Sequence, residues 1–391
     1  MKIAIYSGNI PSTTFVENLI DGLSEAGYEI YLFGKLVKEV SARKNVKLFP
    51  TPVKDFPLVF FVLKEFLKLF LKDPELFFKS LKSFSKTSGG FKSFFKKAGA
   101  LLPVINNKPH IFHIQWAKTV QQHPEIFNLI ESKTALSLRG AHINYSPLAD
   151  QQLADSYKKY FPAIDGFHAV SQAIGDEAAK YGADKNKIKV IYTSVRQDLI
   201  DRKSSIYESG TLEIISVGRF HWKKGYHYAL DAMKKLKDEK VKFKYTIVAQ
   251  GEIPEEIIFL IDEYKLRECV KIIQGMEYQS LIEKLQSSHI LLLPSVEEGI
   301  ANVVLEAMAT GIPVITTDCG GMKEAVQDNF NGYIVPLRDP SSIVIKIKEY
   351  IVTSKETKKN LTAEARRTVI EKFSGERQVR QFSEFYNSIL H

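Results

Sequence analysis

An alternation of short apolar strands with helices, run through twice in one chain, limits the fold more than any other feature of this sequence. The first round opens with a strand at Ile3–Tyr6, an amphipathic helix over about Thr14–Ala26, Gly27 and a second strand at Ile30–Phe33. Strand-like runs return at Ile111–Ile114, Ala135–Leu138, Phe167–Val170 and Ile188–Ile191, each followed by a helical or turn-rich stretch. A polar connector over Asp198–Gly210 ends the round, and the pattern restarts with Leu212–Val217, Tyr245–Ala249, Val270–Ile273, His289–Leu293 and Pro313–Thr316. Strands that alternate with helices pair in parallel, because each crossover returns the chain to the same edge. The expected fold class is α/β, with two Rossmann-like, doubly wound parallel-sheet domains facing a central cleft. A chain of 391 residues also exceeds the length that one hydrophobic core serves. The predicted division is 1–200, 201–372, and a C-terminal helix at 373–391 that packs back on the first domain. Such sheets hold ligands outside the carboxyl ends of their strands, so the loops after Val217, Ala249, Leu293 and Thr316 share one edge.

Two cysteines, Cys269 and Cys319, are too few for a disulfide framework or a thiolate metal cluster and suit a reducing cytoplasm. The opening run MKIAIYSGN has one lysine and an apolar stretch that stops at Ser7, which reads as a buried first strand rather than a secretory leader. The longest lipid-compatible stretch, Phe56–Leu63, falls far short of the ~20 residues a spanning helix needs. A net charge of +9 points to an anionic partner.

In the second round, VGRFHWKKG (Val217–Gly225) leaves a strand, turns at Gly218 and sets Arg219 and Lys224 before a helix that starts near Tyr226. Two cations beside a helix N-terminus suit a diphosphate, since the charges and the free N–H groups attract the same anion; a solvated basic loop reads the same way. PSVEEGIANVVLEAMATGIPV (Pro294–Val314) is more telling. Glu298 and Gly299 lie in a loop after a buried strand, a helix begins near Asn302, and Glu306 lies about one turn, roughly 5–6 Å, along it. Gly299 lets backbone approach a ligand, the N–H groups of Ile300 and Ala301 can face phosphate oxygens, and Glu306 can accept hydrogen bonds from a ribose diol, with Glu298 toward a sugar. The plainer alternative is a first helical turn made acidic by the helix dipole.

Together the two runs resemble the retaining glycosyltransferases of family four (glycosyl transferases group 1), of GT-B fold and surface-polysaccharide type, which carry GR…KG followed by E-x7-E. TGIPVITTDCGG (Thr310–Gly321) continues the resemblance. It implies that Arg219 and Lys224 neutralise the donor diphosphate, that Glu306 binds the ribose and that Glu298 holds hydroxyls of the transferred sugar. Gly218, Gly299, Ile300, Ala301 and Asn302 complete the implied donor site. VAQGEIPEE, from Val248, resembles the family's second nucleotide loop and brings Gln250 and Met276 toward the base, Gln250 standing where an acidic residue is usual. The implied reaction moves a sugar from a nucleotide-diphosphate donor with retention of configuration and no protein nucleophile. Cations already fixed at the departing diphosphate favour the transition state over the ground state. No Asp-x-Asp occurs in the donor loops, so neither a metal nor a cofactor beyond the nucleotide sugar is expected.

On the acceptor side, NIPSTTFVENLIDGLSEAGYEI (Asn9–Ile30) resembles the P-x-S-E-T-F opening of transferases that build bacterial surface polysaccharides, with Thr13 in place of the glutamate. Ser12 and Thr13 also suit an N-cap. IFHIQWA (Ile111–Ala117) and SLRGAHI (Ser137–Ile143) resemble the family's strand ends, the second as an R-G-x-D-I form with His142 for the aspartate. The implied acceptor-side residues are Ser12, Thr13, His113, Arg139 and His142, with His142 orienting the acceptor hydroxyl; histidines at such places are also ordinary core residues. YTSVRQDLI (Tyr192–Ile200) stands where the family reads NGVD, with Ser194 and Arg196 for its Gly and Asp, so the hinge is expected to differ.

Between Lys54 and Lys97, eleven phenylalanines interleave with ten lysines against four carboxylates, a surplus of six positive charges. The segment falls where the resembled family often carries membrane-facing helices, which implies a helical insertion at 54–100 lying on an anionic membrane surface, its lysines among headgroups at roughly 1 kcal/mol each. A core helix pair with solvated lysines is the alternative. Membrane contact fits a saccharide or lipid-linked acceptor and a cytoplasmic protein peripheral to the inner face of the cell membrane. Among rival readings, a nucleotide-sugar epimerase needs no acceptor, and a non-catalytic basic protein of the membrane surface needs no donor chemistry. A dinucleotide oxidoreductase fails because SGNIPST lacks the G-x-G-x-x-G glycines. Nucleic acid is not an expected partner, since the lysines alternate with bulky apolar runs rather than with single exposed aromatics.

Overall fold

The computed structural model describes residues 1–202 and 210–391; the part of the expected connector at 203–209 lies outside the described residues. The chain divides into two compact units, Met1–Tyr192 with Gln378–His391, and Thr193–Arg377. The division therefore falls at 192 and 377 rather than at 200 and 372. Residues 193–202 belong to the second unit because they bond within it: Val195 N–H donates to Phe373 O at 2.8 Å, and the Arg366 guanidinium donates to the carbonyls of Ile200 and Arg202.

The first unit is built on a seven-stranded parallel sheet. Its strands are β1 (Lys2–Ile10), β2 (Glu29–Leu36), β3 (Val46–Thr51), β4 (Ile111–Ile114), β5 (Lys133–Leu138), β6 (Gly166–Ala169) and β7 (Ile188–Val190), in the order β3-β2-β1-β4-β5-β6-β7. Central strands such as β4 are buried at every position, as a sheet covered on both faces requires. β3 was not among the expected strands; it is an edge strand, mostly unburied and holding Pro50.

Helix α1 (Thr14–Glu25) buries Val16, Leu19, Ile20 and Leu23, the spacing of one helical face. Its N-cap corrects the capping alternative: Thr13 makes no side-chain capping bond, and the carboxylate of Glu17 instead accepts the Ser12 N–H at 2.6 Å. The insertion forms three helices rather than a pair, α2 (Asp55–Lys72), α3 (Pro74–Thr87) and α4 (Phe91–Asn107). The break between α2 and α3 is local chemistry, with Pro74 at the first helical position and the Asp73 side chain accepting the Leu76 N–H at 3.0 Å. Phe66 organises the interior of the insertion, with Phe77, Phe84 and Phe94 at ring-centroid distances of 5.6, 6.4 and 6.0 Å. Among the described residues no helix is long and apolar enough to cross a membrane.

The C-terminal helix, Gly375–Leu390, contributes Phe382, Phe385, Tyr386 and Ile389 to a core shared with Ile3, Ile5, Leu19 and Leu23 of the first unit.

The second unit holds a six-stranded parallel sheet: β8 (Leu212–Arg219), β9 (Phe243–Gln250), β10 (Val270–Gln274), β11 (Ile290–Leu293), β12 (Val314–Thr317) and β13 (Tyr333–Val335), in the order β10-β9-β8-β11-β12-β13. Each sheet has one point where the winding reverses, between β1 and β4 in the first and between β8 and β11 in the second. The carboxyl edge at such a point is a natural crevice for a ligand.

Candidate functional site

The loops leaving β8 and β11 flank the reversal point of the second sheet, and they are tied to each other. Val296 N–H donates to Lys223 O at 2.7 Å, and Lys224 Nζ meets Glu298 Oε1 at 2.7 Å. Ser295 Oγ donates to the same carboxylate oxygen at 3.1 Å, while Lys223 Nζ stands 3.7 Å from Oε2. Glu298 is 7% exposed. Burial pushes its carboxyl up, but Lys224, Lys223 and Ser295 outweigh that and hold it below the ordinary 4.5, so it is ionised at neutral pH. The resemblance assigns Lys224 and Glu298 to different parts of a donor, and in this structure they form one ion pair. Arg219, at the exposed end of β8, makes no ion pair with any described carboxylate and lies in register with Gln250 on β9.

Two glycines make this approach possible. A Cβ at Gly218 would stand 2.9 Å from both Lys224 Cε and Tyr226 Oη, and one at Gly320 would stand 1.8 Å from the Glu298 carbonyl oxygen. Gly320 also has φ +53°, which L side chains rarely adopt.

The helix Asn302–Thr310 begins where this loop ends, with Gly299 buried just before it. Its N-cap, Ala301, supplies no side-chain acceptor, and the N–H groups of Ile300, Asn302 and Val303 have no acceptor among the described residues. Ala301 differs from expectation: its N–H points at Met322 Sδ, 3.4 Å away in a buried setting, and does not face outward toward a phosphate. One turn along, Glu306 Oε1 accepts from Tyr278 Oη at 3.2 Å. The Arg196 guanidinium lies 5.1 Å over the Tyr278 ring and is held by Asp198 at 2.8 and 3.1 Å. Burial raises the Glu306 carboxyl above 4.5, and Tyr278 and Arg196 offset this only in part. Met276 sits half-buried in the loop after β10, two residues before Tyr278. Tyr278 and Lys223 were not singled out from the sequence, because their roles arise only where separate loops meet; Ser295 was missed although Glu298 lies three residues on in the same loop. Free helical amides, an exposed arginine and a half-buried carboxylate at the carboxyl edge of one sheet can take a diphosphate and a diol together.

In the first unit, the loops after β1, β4 and β5 meet at the other reversal point. Trp116 Nε1 donates to Ser7 O at 3.0 Å, and the Trp116 ring stands 5.6 Å from His142 and 6.1 Å from Phe15. Arg139 stacks its guanidinium 4.4 Å over Phe15 and donates from Nη2 to Gln115 Oε1 at 3.1 Å. His142 is half-buried, and burial, with Lys118 adding, lowers it to about 4, so the ring is neutral at neutral pH. Thr13 is exposed and Ser12 partly so.

His113 is not part of this wall. It is fully buried in β4, within a chain whose polarity follows from one carbonyl. His168 Nε2 donates to Ile191 O at 2.9 Å, so its Nδ1 accepts from Ser137 Oγ at 2.8 Å. Ser137 in turn accepts from His113 Nε2 at 2.9 Å, and His113 Nδ1 accepts from Tyr386 Oη at 2.7 Å. Burial lowers His113 to about 3, which keeps it neutral and structural.

Residues 197–368 match the family model described as glycosyl transferases group 1. The chain carries a glycosyl transferases group 1 domain. That domain contains Arg219, Lys224, Glu298 and Glu306. The amylovoran biosynthesis glycosyltransferase AmsK of Erwinia amylovora is 26% identical to the chain over 371 residues, covering 88% of the chain and 89% of the relative. The putative colanic acid biosynthesis glycosyltransferase WcaL of Salmonella typhimurium is 28% identical over 239 residues, covering 60% of the chain and 59% of that relative, so the chain spans little more than half its length. Among solved structures, a glycosyltransferase from Rickettsia africae ESF-5 superposes with TM-score 0.71 at 18% identity, covering 100% of the chain and 98% of its own. Anabaena HepE in complex with UDP-glucose gives 0.68 at 15% identity, with 99% and 100% covered. At these identities the likeness shows the fold, which is GT-B.

Proposed function

We propose that the glycosyl transferases group 1 domain binds a nucleotide-diphosphate sugar, and that the protein transfers the sugar with retention of configuration to a saccharide or lipid-linked acceptor in surface-polysaccharide synthesis. The observation that carries this reading is the convergence of Arg219, the Lys224–Glu298 pair, the unpaired amides of Ile300, Asn302 and Val303, and Glu306 at one reversal point. Arg219 and the amides take the diphosphate, Glu306 takes the ribose hydroxyls, and Lys224 divides its charge between Glu298 and the phosphate nearest the sugar. In the transfer, the bond from the sugar's anomeric carbon to the phosphate oxygen breaks and its electron pair leaves with the diphosphate. The acceptor hydroxyl oxygen bonds to that carbon on the same face, and its proton passes to the departing phosphate oxygen. The names of the Erwinia and Salmonella relatives and the UDP-glucose bound to the Anabaena neighbour support the substrate classes.

The same reading places the protein on the inner face of the cell membrane through α2. Phe56, Phe60, Leu63, Leu67 and Leu71 form an exposed stripe on that helix, flanked by Lys64, Lys68 and Lys72. The reaction is proposed to need no metal, its charge stabilisation coming from Arg219, Lys224 and the amides. Release of nucleoside diphosphate from a panel of nucleotide sugars, followed in the presence of EDTA, tests the proposal. Turnover that persists in EDTA and drops about 100-fold in Lys224→Ala supports it; turnover unaffected by Lys224→Ala contradicts it.

A further inference from the structure

Arg139 is the half-buried cation that the donor chemistry leaves unused. Its guanidinium packs against Phe15 at 4.4 Å and lies 6.0 Å from the Trp116 ring centre. Its Nη2 donates to a neutral amide, Gln115 Oε1. Nε is buried with no acceptor, and no described carboxylate pairs with the group. Three other partly buried cations are neutralised by carboxylates, Arg43 by Glu17 and Asp21, Lys97 by Glu125 and Lys224 by Glu298, and Arg366 is met by two backbone carbonyls. A desolvated guanidinium without a counter-charge is costly, and a protein keeps one where a ligand supplies the missing charge.

Its neighbours extend the pattern. Gln115 Nε2 and His142 Nδ1 are also buried without a hydrogen-bond partner. Three unpaired polar atoms therefore stand on the loops that follow β4 and β5, at the carboxyl edge of the first sheet. Burial lowers Arg139 only to about 9, so it stays protonated at neutral pH, while His142 stays neutral.

We infer that Arg139, with Gln115 beside it, holds an oxyanion of the acceptor, a carboxylate or a phosphate, while Phe15 and Trp116 cover an apolar face of the adjoining sugar. A guanidinium edge and an amide NH₂ are donors only, which suits an oxyanion and rejects a cationic or purely neutral group at that point. The subsite takes its role as an acceptor site from the transferase reading; its chemistry, an anion on Arg139, stands without it.

Trp116 reports on the subsite. The chain has two tryptophans, and Trp222 lies in the donor loop, so Trp222→Phe leaves Trp116 as the single indole. Its emission is to be titrated with D-glucuronate, inorganic phosphate and D-glucose. The expected result is a saturable change with glucuronate or phosphate at a concentration at least about tenfold below any change with glucose, a discrimination of the size one charged contact gives. A response to glucuronate alone assigns an acidic sugar, and a response to phosphate alone assigns a phosphorylated acceptor. Arg139→Gln is expected to abolish the preference and Arg139→Lys to retain part of it. No saturable anion response, an equal response to glucose, or a preference that survives Arg139→Gln overturns the inference. Calorimetric titration with nucleotides separates the two claims. Nucleotide binding without an anion response removes the subsite and leaves the transferase, whereas an anion response without nucleotide binding does the reverse.

Discussion

Lys224 and Glu298 are bound to each other at 2.7 Å, with side chains only 13% and 9% exposed, and this couples stability to function in a way that mutagenesis can separate. Lys224→Ala strands a buried carboxylate and is expected to cost about 3 kcal/mol in urea unfolding, while the double variant Lys224→Met/Glu298→Gln regains most of that and stays inactive. Equal stability of the two variants would remove the ion pair from the account. Glu306 behaves in the opposite sense. Its folded pKa lies above the unfolded 4.5, so between those values the folded state binds more protons and stability falls as pH rises. Above that window the native protein carries a constant penalty that Glu306→Gln lacks. The variant is therefore expected to unfold at higher urea than the native protein at pH 7, to match it below pH 4.5, and to bind nucleotide at least about tenfold more weakly. A variant destabilised at pH 7 would make Glu306 structural. At this scale, the spacing of Arg219, Lys224, Glu298 and Glu306 along two short runs is the signal that proposes them, and the structure brings Lys224 to Glu298. Tyr278 and Gln115 gave no such signal, since each acts on a residue of another loop far away in sequence, and Ser295, three residues from Glu298 in the same loop, carried no motif of its own. For His113 the sequence left a core role and an acceptor-side role both open, because a central strand is buried on both faces and nothing in its alternation distinguishes a core side chain from a wall of the crevice.

The insertion shows what elements owe to their sequence. The helical insertion that the family resemblance implied at 54–100 is present, and Asp73–Pro74 explains why α2 and α3 are separate. What the sequence left open was which phenylalanines turn outward: Phe66 and Phe84 are buried, whereas Phe56 and Phe91 are 75% and 74% exposed. The outward stripe of α2 makes a direct prediction for binding to lipid. Phe60→Ser together with Leu67→Ser is expected to cut co-sedimentation with anionic vesicles by at least about tenfold, at unchanged thermal stability, since each exposed side chain forfeits on the order of 1.5 kcal/mol of burial in the lipid interface. Native binding should also weaken with salt and on neutral vesicles. Undiminished sedimentation of the double variant would leave α2 without a role at the membrane. Two strands, β3 and β13, escaped the sequence for a simpler reason: one is a mostly unburied edge and the other is three residues long.

For the whole molecule, two parallel sheets were legible from periodicity alone, and matches to GT-B structures over nearly the full chain agree with that reading. The boundary was less legible. The sequence put a connector at 198–210 and ended the first domain at 200, whereas Arg366 and Phe373 bind residues 195–202 within the second unit. The two reversal points define what each unit does in the proposed reaction, an anion-bearing acceptor in the first and a nucleotide sugar in the second. The donor claim is central, and calorimetric titration of the purified protein and of Glu306→Gln with UDP, GDP and ADP and their sugar conjugates tests it most directly. The account predicts selective binding of one nucleotide by the native protein and at least about tenfold weaker binding by the variant; binding of none of them by the native protein, or equal binding by both proteins, would contradict it.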